Sequence, residues 1–151
     1  MRRVLTAGLR AEGPVHRDRL VRVAAGAFGL SRVSEARRDA LLRLLPDGVV
    51  DGDFAWPESL DRAGWTGFRR QVAAADRPLE HVAPEEVGNA MAALCRAAGE
   101  LAEDELFVRT AEVFGYRRRT PSLTPLLQAA LTRALDAGRL VRQESGVLTA
   151  G

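Results

Sequence analysis

"AEGPVHRDRLVRVAAGAFGLSR", residues 11–32, aligns without a gap to "AAGELAEDELFVRTAEVFGYRR", residues 97–118, at an offset of 86 positions. Eight aligned positions are identical, among them the pairs Phe28-Gly29 and Phe114-Gly115. An internal repeat decides the architecture of a chain before its other features do. Because this period is too long for a solenoid, the alignment predicts two copies of one small domain.

The similarity between the copies extends beyond this stretch. Upstream, Leu5 faces Met91 and Leu9 faces Cys95. Downstream, after four extra residues in the second copy, "ALLRLLPDGVV" (40–50) faces "ALTRALDAGRL" (130–140). The two copies therefore carry the same order of elements over most of their length.

The spacing of apolar residues and glycines predicts three helices in each copy. The second helix of the first copy has one apolar face at helical spacing, formed by Leu20, Ala24, Ala27 and Phe28. Gly29 follows this helix, at the position where a left-handed backbone conformation commonly ends a helix. The predicted helices are 2–11, 17–28 and 34–45 in the first copy and 84–98, 103–114 and 124–137 in the second.

A hairpin is predicted after the third helix of each copy. "VVDGDFAW" (49–56) has two short strands around Asp51–Gly52, a strong turn sequence, and "RLVRQESGVLT" (139–149) repeats the pattern with a longer loop. Three helices closed by a hairpin are the winged-helix plan. The sequence thus predicts a mainly α fold with small β-hairpins (α+β) and two tandem winged-helix units, at 1–57 and 84–151.

The stretch between the copies, residues 58–83, lacks clear periodicity. It contains Trp65 and Phe68, so we expect a connector that packs partly through its aromatic side chains.

The composition excludes several classes of protein. The chain has 22 basic residues, all arginine, against 20 acidic residues, and a single cysteine, so no intrachain disulfide is possible. No run of 18 apolar residues suggests a membrane span, and the start of the chain has no signal-peptide core. We expect a cytoplasmic protein with no membrane partner.

Three segments, taken in order, resemble a bacterial domain of unknown function found at the C-terminal end of very large helicase–nuclease proteins. They are "EGPVHRDRLVRVAAGAFGLSR" (12–32), "GDFAWP" (52–57) and "PEEVGNAMAALCRAAGELAEDELFVRTAEVFGYRRRT" (84–120). The resemblance covers nearly the whole chain and implies association with DNA processing, with a helicase or nuclease as a partner. It implies no catalytic site here, and this chain has no phosphate-binding loop of the GxxxxGK[ST] type. The chain is therefore expected to be either a free-standing relative or the tail of a larger protein.

Few residues could support catalysis. Two histidines and one cysteine are too few for the usual zinc sites. The spacing of Cys95 with Met91 predicts a core thiol, and His16 is expected to be a surface residue in the first turn of a helix. Asp18 and Asp104 suit the positive end of a helix dipole. We therefore predict no enzyme activity, no metal and no cofactor.

The arginines suggest a different function. From Val113 to Leu135 there is no acidic residue, whereas Arg117, Arg118 and Arg119 lie in the turn before the third helix. In helix-turn-helix proteins the third helix enters the major groove and the turn lies near phosphates, and arginine suits both contacts. The sequence predicts duplex DNA binding with low sequence specificity. The predicted DNA contacts are Arg32, Arg37, Arg38, Arg117, Arg118, Arg119, Arg133, Arg139 and Arg142.

Two alternatives stay open. The arginines could form a solvated face, and winged helices also serve as protein–protein interaction modules without DNA contact. In the first copy, Glu35 and Asp39 offset the arginines of the third helix, and Asp51 and Asp53 of the hairpin would repel phosphate. The first copy is thus expected to be the weaker DNA binder.

Overall fold

A computed structural model describes all residues, 1–151, as an α+β protein with six α-helices and two small antiparallel sheets. The chain divides into two compact units, Met1–Trp65 and Thr66–Gly151. No helix is both long and apolar enough to cross a membrane.

The first unit holds three helices and a three-stranded sheet. Its strands are ordered β1-β3-β2, and both pairings are antiparallel. Gly52 at the hairpin turn has a φ of +61°, a conformation that favours glycine. The elements are α1 (Arg2–Glu12), β1 (Val15–His16), α2 (Arg17–Gly26), α3 (Glu35–Leu42), β2 (Val50–Asp51) and β3 (Phe54–Ala55). The buried core consists of Leu5, Leu9, Val15, Leu20, Ala24, Leu45, Val49 and Ala55.

The second unit has its own helices and hairpin. Its elements are α4 (Pro84–Ala98), α5 (Glu103–Val113), α6 (Thr124–Asp136), β4 (Leu140–Arg142) and β5 (Leu148–Ala150). Two short 3-10 turns, Ala74–Asp76 and Leu79–His81, precede α4.

A third strand position that the sequence analysis missed is present in both units. In the first unit this strand is β1, which lies between α1 and α2 in the chain and pairs with β3. In the second unit, Leu101 exchanges two backbone hydrogen bonds with Leu148, with N···O distances of 3.0 and 2.8 Å. Leu101 is the residue that aligns with Val15 at offset 86. A strand of one or two residues is too short to show an alternating pattern, so it could not be predicted from the sequence.

The helices follow the predicted order, but two of them end two or three residues earlier than predicted. α2 ends at Gly26 and not at residue 28, and α3 ends at Leu42 and not at residue 45. Ala27 and Phe28 consequently leave the apolar face of α2, and Phe28 is 52% exposed. The predicted burial of Phe28 is therefore wrong, although the aligned Phe114 is fully buried.

The predicted connector divides between the two units. Residues 58–65 belong to the first, where the ring of Trp65 meets Trp56 edge-on at 5.9 Å and the guanidinium of Arg62 lies 4.3 Å from the Trp56 ring centroid. Residues 66–83 belong to the second unit. There the backbone N–H of Gln71 donates to the carbonyl of Val113 at 3.1 Å, and its side-chain amide donates to Phe114 at 3.0 Å.

Gly115 allows residues 66–83 to lie directly against the end of α5. Its φ is +89°, and a Cβ atom there would lie 2.6 Å from the backbone nitrogen of Ala74. Any other residue at this position would push the segment away. The segment thus covers Phe114, and nothing in the first unit covers Phe28 in the same way, so the two aligned rings differ in exposure.

A buried carboxylate anchors the same segment to α4. Glu86 is fully buried and accepts two hydrogen bonds from the guanidinium of Arg77, at 2.6 and 3.0 Å. It also accepts from the side chain of Arg69 at 2.6 Å and from its backbone N–H at 3.2 Å. A buried charge must be paired and hydrogen-bonded, and Glu86 satisfies this requirement entirely with residues of the segment.

His16 does not lie on the surface, as the sequence analysis expected. It is a buried residue of β1, and its ring meets Phe54 edge-on at a centroid distance of 5.3 Å. Its Nδ1 accepts a hydrogen bond from the backbone N–H of Asp18 at 3.1 Å, so it caps the start of α2. The capping interaction and the strand pairing together hold the ring inside the unit.

Cys95 is fully buried, as predicted, in the core of the second unit with Met91 and Leu106. Burial raises the pKa of its thiol, because the apolar surroundings disfavour the thiolate. We therefore expect the native protein to react with an aromatic disulfide reagent far more slowly than the protein unfolded in guanidinium does. Absorbance of the released thiolate measures both rates, and equal rates would contradict the expected protection.

Candidate nucleic-acid interface

The arginine run begins immediately after a fixed point of the second unit. The hydroxyl of Tyr116 accepts a hydrogen bond from the backbone N–H of Leu79 at 2.9 Å. The backbone N–H of Tyr116 donates to the carbonyl of Ala111. Arg117 and Arg118 follow at once. Both are exposed, and their side chains make no hydrogen bond or ion pair. They are two unpaired cations that directly follow a residue hydrogen-bonded to two other parts of the second unit.

Arg119 is placed differently from its two neighbours. Its Nη1 lies 3.3 Å from a carboxylate oxygen of Asp104, and its guanidinium lies 5.8 Å from the centroid of the Phe107 ring. Both partners belong to α5. Arg119 thus folds the loop back onto α5, which gives it a structural role that the sequence did not separate from those of Arg117 and Arg118.

Three further predicted DNA contacts are engaged with α4 or α5. Arg133 lies 2.6 Å from Glu85, Arg142 lies 3.3 Å from Glu103, and Arg139 donates to the side chain of Asn89. Exposed ion pairs contribute only about 0–1 kcal/mol, so Arg133 and Arg142 could exchange their carboxylates for phosphates at little cost. Arg139, which is only partly exposed, is the least available of the three.

The outer face of α6 carries no charge before Arg133. Gln128, Ala129 and Thr132 are exposed on this face, and the hydroxyl of Thr132 donates to the carbonyl of Gln128 at 3.0 Å. Small side chains let a helix approach another surface closely. Gln128 also carries the face's one amide, a group that can pair with an adenine edge, and the sequence analysis passed over it.

In the first unit the predicted contacts also divide into two kinds. Arg32 and Arg37 are exposed, and their side chains have no hydrogen-bond or ion-pair partner. Arg38 is held by three carboxylates, those of Asp18 at 3.0 Å, Glu35 at 3.5 Å and Asp39 at 3.7 Å. Arg38 therefore joins α3 to α2.

Other charged residues of the first unit make it less unfavourable to an anion than the sequence indicates. Asp51 and Asp53 of the hairpin are paired with Arg62 at 3.1 Å and Arg17 at 3.2 Å, which reduces the repulsion expected from them. On α1, the side chains of three exposed arginines that were not predicted as DNA contacts have no hydrogen-bond or ion-pair partner. These are Arg2, Arg3 and Arg10.

The net charge of each unit is small. Residues 66–151 contain eleven arginines and eleven carboxylates, so the second unit has no net charge, and the first has a net charge of +2. Attraction of a polyanion to the second unit must therefore come from local clusters such as Arg117 and Arg118.

No group of three or more histidine, cysteine or acidic side chains lies together in a way that could hold a metal ion. Comparison with known proteins finds no matching family, no matching curated protein and no matching solved structure.

Proposed function

We propose that the protein is a non-catalytic module that binds duplex DNA with low sequence specificity, and that its two units are tandem winged helices. We also propose that it serves a DNA-processing system that includes a helicase or nuclease, the association that the sequence resemblance implies. The observation that carries the DNA proposal is the pair of unpaired, exposed arginines, Arg117 and Arg118, at the turn before α6.

The order of elements supports the winged-helix part of the proposal. Each unit runs helix, strand residue, helix, helix, hairpin, and the strand residue pairs with the last strand of the hairpin. In winged-helix proteins the second and third helices form the helix-turn-helix, and the hairpin is the wing. In the second unit these parts are α5, α6 and the β4–β5 hairpin.

The positions of the charges support the DNA part. In the proposed helix-turn-helix, the turn between α5 and α6 leads into the helix that would enter the major groove, which brings the turn close to the phosphate backbone. Arg117 and Arg118 occupy this turn, and no carboxylate intervenes between Val113 and Leu135. Gln128 is the one amide on the exposed face of α6 before Arg133, so few bases could be read directly, in keeping with low sequence specificity.

The salt dependence of binding tests this function. Fluorescence anisotropy of a labelled duplex should give an association constant that falls linearly with salt on logarithmic axes, by about 0.9 per phosphate contact. Two duplexes of unrelated sequence should give similar constants. Binding that is absent at low salt, or that is independent of salt, would contradict the proposal.

A further inference from the structure

A recess of about 240 Å³ opens in the first unit between α2, α3 and the loop that joins them. Asp18 and Arg38 form a salt bridge at 3.0 Å on its wall. Val21, Ala25, Leu30 and Val33 line it on the apolar side. Val21 and Ala25 are almost fully buried, so the accessible apolar surface comes mainly from Leu30 and Val33.

Larger side chains stand at the aligned position of the second unit. At offset 86, Val21 aligns with Phe107, Leu30 with Tyr116, and Val33 with Arg119. Phe107 is 2% exposed, and its ring lies 5.8 Å from the guanidinium of Arg119. Arg119 in turn is paired with Asp104, which aligns with Asp18.

The two units thus share an arginine–aspartate pair at this place, supplied by Arg38 in one and by Arg119 in the other. They differ in that the first unit lacks the aromatic ring beside the pair. Apolar cavities of roughly 150 Å³ accept a benzene-sized ring, so the recess of the first unit is large enough for a phenyl group.

We propose that this recess binds an aromatic side chain of a partner polypeptide whose neighbouring residues are acidic. Arg22, which lines the recess, and Arg32, between the lining residues Ser31 and Val33, are exposed and unpaired. They provide positive charge for flanking carboxylates. Phe28, which is 52% exposed, and Leu30, at 37%, are apolar side chains of the same loop region.

Other occupants fit these features less well. A second copy of this chain that docked through the same recess would bring Arg22 and Arg32 against the same two arginines. Duplex DNA keeps its bases stacked, so it has no free ring to insert, and its phosphates have no apolar part for Leu30 and Val33 to contact. An aromatic anchor between acidic residues matches both the apolar wall and the charges.

The proposal is tested with the full chain and an unlabelled, acetylated hexapeptide that has one phenylalanine between aspartates. Titration of the ¹⁵N-labelled protein, followed by amide chemical shifts, should perturb Val21, Ala25 and Leu30. Replacing the phenylalanine of the peptide by alanine should weaken binding by at least about tenfold, as for a buried aromatic anchor.

Variants of the protein separate the recess from the charge around it. Val21→Phe places in the first unit the ring that the second unit has, and it should abolish most of the peptide binding. Val23→Phe is the matched control, since Val23 lies on the same helix, is 46% exposed and does not line the recess. It should bind the peptide like the wild type.

A third variant, Arg22→Glu, keeps the recess open and changes only an exposed side chain. It should also weaken binding, so it decides the matter if Val21→Phe fails to fold by circular dichroism. Replacing Arg117 and Arg118 by alanine should leave peptide binding unchanged, so the peptide site is tested independently of the DNA proposal. Equal binding by wild type and Val21→Phe, equal binding of the alanine peptide, or no perturbation by the phenylalanine peptide would overturn the assignment.

Discussion

Replacing Glu86 by alanine is expected to lower the free energy of unfolding of the second unit by about 3–5 kcal/mol, the range seen when one partner of a buried ion pair is removed. The side chain of Arg77 is only 9% exposed, so its guanidinium would stay buried without its carboxylate. Arg69 is more exposed, at 39%, and water can replace part of what it loses. Most of the cost therefore comes from Arg77.

Chemical denaturation followed by circular dichroism measures this loss. Glu105→Ala is the matched control: it removes a carboxylate paired with Arg109 at 2.7 Å, but on the exposed surface of α5. Its expected cost is about 0.3–0.5 kcal/mol, typical of a helical surface pair. Hydrogen exchange supplies a local reading, since residues 66–83 should exchange faster in Glu86→Ala and not in Glu105→Ala. Equal stability losses in the two variants would show that the buried pair does not anchor the segment.

The sequence could not have predicted this anchor. Glu86 stands beside Glu85 in the first turn of a helix, where both carboxylates suit the helix dipole, yet one is buried and the other is not. The difference arises from Arg69 and Arg77, which lie in a stretch without helical or strand periodicity. Periodicity detects regular elements that cover a core, but it cannot detect an irregular segment held by side-chain hydrogen bonds.

The aligned phenylalanines show the same limit. Phe28 and Phe114 occupy equivalent positions before a glycine, and helical spacing predicted that both would be buried. Only Phe114 is buried, because Gly115 lets residues 66–83 lie against the end of α5. By contrast, the number and order of the helices and the two hairpins follow from local patterns of apolar residues and glycines, and the structure confirms them.

The candidate site was predictable only in part for a related reason. Residues 117–119 are three consecutive arginines, so the sequence alone does not distinguish their roles. Asp104 and Phe107, more than ten positions earlier in the sequence, hold Arg119 against α5 and leave the other two arginines unpaired. Which cations of a run remain available to a ligand depends on tertiary contacts, and these are set by residues distant in sequence.

Replacing Arg117 and Arg118 together by alanine is expected to weaken duplex binding on all sequences and to flatten the plot of log K against log salt by about 1.8, or 0.9 for each lost phosphate contact. Both side chains are exposed and unpaired, so their removal should leave the stability of the unit unchanged. Arg119→Ala should behave in the opposite way, with a smaller effect on the salt dependence and a measurable loss of stability, since it removes contacts to Asp104 and Phe107.

The matched control for the double variant is Arg2→Ala with Arg3→Ala. These two arginines are also adjacent, exposed and unpaired, so the control changes the net charge of the chain by the same amount. Fluorescence anisotropy over a series of salt concentrations compares wild type, variant and control, with folding verified by circular dichroism. If the control flattens the slope as much as Arg117→Ala with Arg118→Ala does, the duplex responds to the total charge of the chain and the turn before α6 is not its site. A selective loss in the Arg117 and Arg118 variant would place the phosphate backbone at that turn, because only local charge then distinguishes two proteins of equal net charge.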